Sequence, residues 1–77
     1  MTPASTAIDG AIRQIRAYVA GRPHSADTLD GIAQWWLGGH FPREVVEAAL
    51  EQLHAAGELE RIEIGARQLW RRQPMPG

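Results

Sequence analysis

No cysteine occurs in the 77 residues, so neither a disulfide nor a thiolate metal ligand can hold this chain together, and its stability must come from packing. A reducing compartment suits such a chain. Lysine is absent as well: all eight basic residues are arginine. No apolar run approaches the roughly 18 residues of a membrane span. The opening Met1-Thr2-Pro3-Ala4-Ser5-Thr6 lacks the basic start and apolar stretch of a secretory signal. A cytoplasmic protein with no membrane partner is the expectation. An excess of one charge is also missing. The formal net charge is -1, whereas a domain that lives off the phosphate backbone usually shows a clear basic surplus. This balance argues against strong, non-specific nucleic-acid binding.

What is present is ordinary globular material. Hydrophobic residues make up 44% and charged residues 22%, far from the composition of a disordered chain. A domain this short buries only about 60% of its unfolded surface, which leaves room for one core. From Ala7 to Ala20, Ile8, Ala11, Ile12, Ile15, Tyr18 and Val19 recur at helical spacing, with Thr6 as the expected N-cap and Gly21 and Pro23 as the stop. A second helix is predicted from Asp27 or Thr28 to Leu37 on the stripe Leu29, Ile32, Ala33, Trp36 and Leu37, ended by Gly38-Gly39. A third begins near Pro42 and carries Val46, Ala49, Leu50 and Leu53 before Gly57. The short link between the second and third helices fits a helix-turn-helix.

After Gly57 the period shortens. Leu59 to Ile64 and Arg67 to Arg72 read as two strands around Gly65-Ala66, and a two-residue turn with glycine first places Ile62 opposite Leu69 and Arg61 opposite Trp70. The predicted class is α+β, mainly helical: a three-helix helix-turn-helix core followed by a C-terminal β-hairpin. Residues 1–6 are expected to be loose, 7–72 to form the single domain, and 73–77 to be a flexible tail.

The stretch Arg43-Glu44-Val45-Val46-Glu47-Ala48-Ala49-Leu50-Glu51-Gln52-Leu53-His54-Ala55-Ala56-Gly57-Glu58-Leu59-Glu60 resembles the third helix and first wing strand of winged helix-turn-helix domains, through its L-x-x-L-x-x-x-G-x-L passage. The segment Ile64-Gly65-Ala66-Arg67-Gln68-Leu69-Trp70-Arg71 is similar to their wing. Architecture does not determine activity. In DNA-binding members the third helix enters the major groove, which on this chain implies His40, Arg43, Glu44, Glu47, Ala48 and Glu51. Glu44, Glu47 and Glu51 depart from that role, since they form an acidic ridge opposite the Val46-Leu50-Leu53 stripe. Lone winged helices often dimerise, and the sequence carries no direct sign of a homodimer.

Two readings from different classes follow. In the first the chain is a non-enzymatic protein-interaction or scaffold module, with Trp35, Glu44, Glu47 and Glu51 facing a partner. The blander alternatives are a solvated acidic face and a Trp35 packed under the loop or the first helix. In the second it is a DNA-binding regulator using His40, Arg43, Arg67, Trp70, Arg71 and Arg72, with Trp70 stacking on a base. A cross-strand contact of Trp70 with Arg61 is the blander alternative there. His24, His40 and His54 lack the spacing of a metal site, Ser5 and Ser25 lack a nucleophile setting, and no phosphate-binding loop is present. The expectation is therefore no catalytic residue, no metal and no cofactor.

Overall fold

A computed structural model describes residues 5–73. In chain order they form α1 (Ser5–Gly21), β1 (Ala26–Asp27), α2 (Leu29–Gly31) running directly into a π-helical turn (Ile32–Trp36), α3 (Arg43–Ala55), β2 (Leu59–Ile64) and β3 (Arg67–Arg72). The strands make one antiparallel sheet in the order β1-β3-β2. Three helical segments and a three-stranded sheet make the domain α+β, and this order of elements is compatible with a winged helix. Residues 1–4 and 74–77, where most of the expected loose ends fall, lie outside the described residues.

α1 buries Ile8, Ala11, Ile15 and Val19, spaced three, four and four apart, against α3. Thr6 lies inside the helix and is not its cap. α3 answers with Val45, Val46, Ala49, Leu50 and Leu53. Pro42, in extended conformation, caps its start without a side-chain bond. Its end is a Schellman motif: the Glu58 N–H donates to the Leu53 carbonyl (2.9 Å) and the Gly57 N–H to that of His54 (3.0 Å). Gly57 sits at φ +77°, a left-handed conformation that costs other residues about 1–2 kcal/mol.

Between these two helices lies the least regular part of the core. Asp27 pairs with Trp70 in the sheet, and its carboxylate accepts from the Thr28 N–H (2.8 Å). The Thr28 hydroxyl caps α2 by accepting from the Gly31 N–H (3.1 Å). A Cβ at 31 would collide with the Asp27 carboxylate, which would have to move aside. Past Gly31 the backbone widens, and the Leu37 N–H reaches the Ile32 carbonyl at 3.0 Å, an i→i+5 bond.

That widening decides where the paired tryptophans go. An i→i+5 turn advances by roughly 85° per residue instead of about 100°, so Trp35 swings to roughly 105° from Ile32 rather than about 60°. Trp36 and Leu37 then fall on either side of Ile32. Both are buried, Trp36 at 7% exposure and Leu37 at 1%, while Trp35 is 71% exposed. The ring of Trp36 stacks on Tyr18 of α1 with centroids 4.6 Å apart, and the Arg22 guanidinium also lies over the Tyr18 ring, 4.6 Å from its centroid.

The hairpin follows the predicted register, with Ile62 opposite Leu69 and Arg61 opposite Trp70. At the turn Gly65 has φ +61° and Ala66 has no positive φ, the pattern of a two-residue turn with glycine first. One face carries Leu59 and Trp70 into the core, at 2% and 4% exposure. The ladder continues past β3 through a bond from the Gln73 N–H to the Glu58 carbonyl (3.0 Å).

Candidate protein-binding surface

On α3 the residues between the buried positions face solvent: Arg43, Glu44, Glu47, Glu51 and Gln52 are exposed and Ala48 is half-buried. Glu44, Glu47 and Glu51 line one shallow surface with Ala48 and Gln52. The acidic ridge read from the sequence is therefore a continuous outward face. Arg43, at the start of the same helix, donates to the Asp30 carboxylate of α2. Asp30 in turn lines a shallow hollow with Ala33, Gln34, Trp35, Gly38 and Gly39. The ion pair thus joins the tryptophan side of the surface to the glutamate side. Across the two surfaces Asp30, Glu44, Glu47 and Glu51 set four carboxylates against the one guanidinium of Arg43.

The exposed Trp35 rules out its burial under the loop or the first helix. His40 is exposed in the turn, beside Gly38, and contacts no member of the ridge through a hydrogen bond or ion pair. Gly38 and Gly39 have φ +65° and +74°, which turns the chain sharply between the π turn and α3.

The arginines of the hairpin do not form one cluster. Cross-strand pairs share a sheet face, so Arg67 and Arg71, paired with Ile64 and Glu60, point outward. Arg72, paired with Leu59, points to the opposite side. Arg71 donates to the Glu60 carboxylate at 3.2 and 3.3 Å. Trp70 is corrected outright as a base-stacking residue, because its ring is buried. The Arg61 guanidinium lies 5.8 Å from its centroid and the His54 ring meets it edge-on at 6.0 Å. The cross-strand alternative holds for this residue.

The chain matches no protein-family model, no curated protein and no solved structure. Among the described residues no group of three or more His, Asp and Glu side chains is placed to hold a metal ion, and no helix is long and apolar enough to cross a membrane. A groove between α1 and the start of β2 is lined by Ile15, Val19, Ala20, Leu53 and Leu59, with Arg16 and Glu58 at its rim. Arg16 grips Glu58 through two bonds, Nε at 2.8 Å and Nη2 at 2.6 Å. Those bonds hold the Glu58 carboxyl below its ordinary pKa and raise that of Arg16.

Two elements of the site escaped sequence reasoning. The Arg43–Asp30 pair spans 13 positions, and no local spacing announces it. The π turn that exposes Trp35 is the other, because α-helical spacing does not announce a wider step. The signal that existed was Trp35-Trp36-Leu37, three large apolar residues in succession that an α-helix cannot place on one narrow face.

Proposed function

We propose that this chain is a non-enzymatic winged-helix binding module that docks a basic protein segment on Trp35 and the acidic outer face of α3. The observation that carries this reading is a tryptophan held 71% exposed by a π turn and linked through Asp30 and Arg43 to a row of three glutamates. Exposed tryptophans are enriched among the residues that dominate protein interfaces, and π turns are frequent at functional positions. A row of carboxylates steers a cationic partner towards the surface and repels an acidic one.

A DNA-binding reading keeps one specific support. Arg67 and Arg72 are exposed and, among the described residues, neither has a carboxylate partner. Against it stand the acidic ridge on the helix that would enter the groove, the Arg43–Asp30 pair and the buried Trp70. The protein reading is the better supported.

The test is a low-salt titration with an arginine-rich peptide carrying one leucine and, separately, with mixed duplex DNA. Tryptophan emission, with the Trp35→Ala chain as the subtraction that isolates Trp35 from Trp36 and Trp70, and backbone amide shifts are the readouts. The peptide should perturb Trp35 and the amides of Glu44, Glu47 and Glu51, and binding should weaken at least about tenfold in Trp35→Ala and in Glu47→Lys/Glu51→Lys. A peptide that leaves these signals unmoved overturns the proposal. So do DNA-induced, salt-sensitive shifts at Arg43, Arg67 and Arg72.

A further inference from the structure

β3 lies in the middle of the sheet, so β2 has one long side without a strand partner among the described residues. The phase of its ladder follows from the bond between the Gln73 N–H and the Glu58 carbonyl. Counting in twos from Glu58, the backbone groups of Glu60, Ile62 and Ile64 turn towards β3, and those of Leu59, Arg61 and Glu63 turn away from it. Strand edges of this kind are usually blunted by proline, a bulge or charged side chains. β2 has no proline and no bulge, its register with β3 running unbroken over six pairs, and its charges, Glu60, Arg61 and Glu63, are of both signs and so can pair as well as repel. Its outer face carries half-buried Ile62 opposite half-buried Leu69 and Ile64 at 60% exposure, with the Glu60–Arg71 pair at one end and Arg67 at the other.

The charges on this edge alternate in sign, and the edge complements itself. We infer that a second copy of this chain pairs antiparallel along β2, with a two-fold axis through Ile62. Hydrogen bonding requires that outward-turned residues face outward-turned residues, so Leu59, Arg61 and Glu63 can only meet Leu59, Arg61 or Glu63 of the second copy. An axis at Arg61 sets arginine against arginine, and one at Glu63 sets glutamate against glutamate. An axis at Glu60 draws buried Leu59 into the pairing and sets two Glu60 side chains face to face. Only the axis at Ile62 pairs Arg61 of each copy with Glu63 of the other, while the two Ile62 side chains meet at the centre. Glu60 then lies across from Ile64 of the second copy with its carboxylate already held by Arg71. The product is a closed, isologous dimer with a continuous six-stranded sheet and an unbroken apolar stripe running through Leu69 and Ile62 of both copies. This surface is separate from the α3 face, so peptide binding at Trp35 and dimerisation succeed or fail independently.

Sedimentation equilibrium over a wide concentration range, with circular dichroism to confirm folding, tests the inference. The chain should dimerise reversibly. Arg61→Glu and Glu63→Arg should each raise the dimer Kd about tenfold or more, since each sets like charges opposite one another. Mixing the two variants should restore association as a heterodimer, because each then supplies the sign the other lacks. Arg61 also lies on Trp70, so Glu63→Pro serves as a second block: the N–H it removes faces away from β3, leaving the hairpin ladder whole. A chain that stays monomeric at its highest soluble concentration overturns the inference. A dimer that the two charge variants and Glu63→Pro leave unweakened does so too.

Discussion

The second and third helices reach the same core by different routes. α3 keeps α-helical geometry for 13 residues, with a Schellman end, and puts its apolar residues inward and its glutamates outward. α2 has one turn of that geometry and then opens into a five-residue π turn. A regular helix partitions its surface by sequence spacing alone. A widened one is shaped by its neighbours: stacking on Tyr18 draws Trp36 inward and Leu37 follows, and the geometry that admits both expels Trp35. The tryptophan offered to a partner is thus a by-product of packing its neighbour.

The strongest test of this contrast is to truncate each tryptophan. Trp36→Ala should cost about 3–5 kcal/mol, as expected for a large buried aromatic, while Trp35→Ala should stay within about 0.5 kcal/mol. Urea unfolding of the two variants measures both, and similar losses would erase the distinction between the faces of the π turn. Gly31→Ala ranks next. The methyl group must displace the Asp27 carboxylate, so a loss of about 1–3 kcal/mol is expected, with amide shifts concentrated at the β1–α2 corner. Intact stability there would mean that α2 is as tolerant as α3. The smallest effect belongs to Glu58, just past the end of α3. Its folded pKa is depressed by Arg16, so its contribution is present above the ordinary glutamate value and is lost as pH falls through the folded value. With the Glu58 side chain 39% exposed the effect is screened, and Glu58→Gln should only flatten the acid limb of the thermal stability profile.

Much of this architecture was legible in the chain. The stripes of α1 and α3 follow a 3.6-residue period, and glycine placement announced both the end of α3 and the hairpin register. The acidic ridge was legible for the same reason, since a regular helix turns spacing into faces. The rest depends on contacts between distant segments. Ala26-Asp27 has no strand pattern of its own and becomes β1 only because β3 lies alongside. The contact of Trp70 with Arg61 follows from the hairpin register, while the His54 ring that meets Trp70 edge-on comes from α3 and no spacing announces it. Exposure of Trp35 is one of the two readings its spacing leaves open, and the π turn that decides between them is a change of helical step that no propensity encodes.

The stack of Tyr18 on Trp36 also has an optical consequence. Tyr18 is the sole tyrosine of the chain, and a phenol ring 4.6 Å from an indole passes its excitation across before it can emit. Its fluorescence should be quenched in the native state and rise only when the chain unfolds and the first helix moves away from all three tryptophans, giving this molecule a built-in optical reporter of global opening.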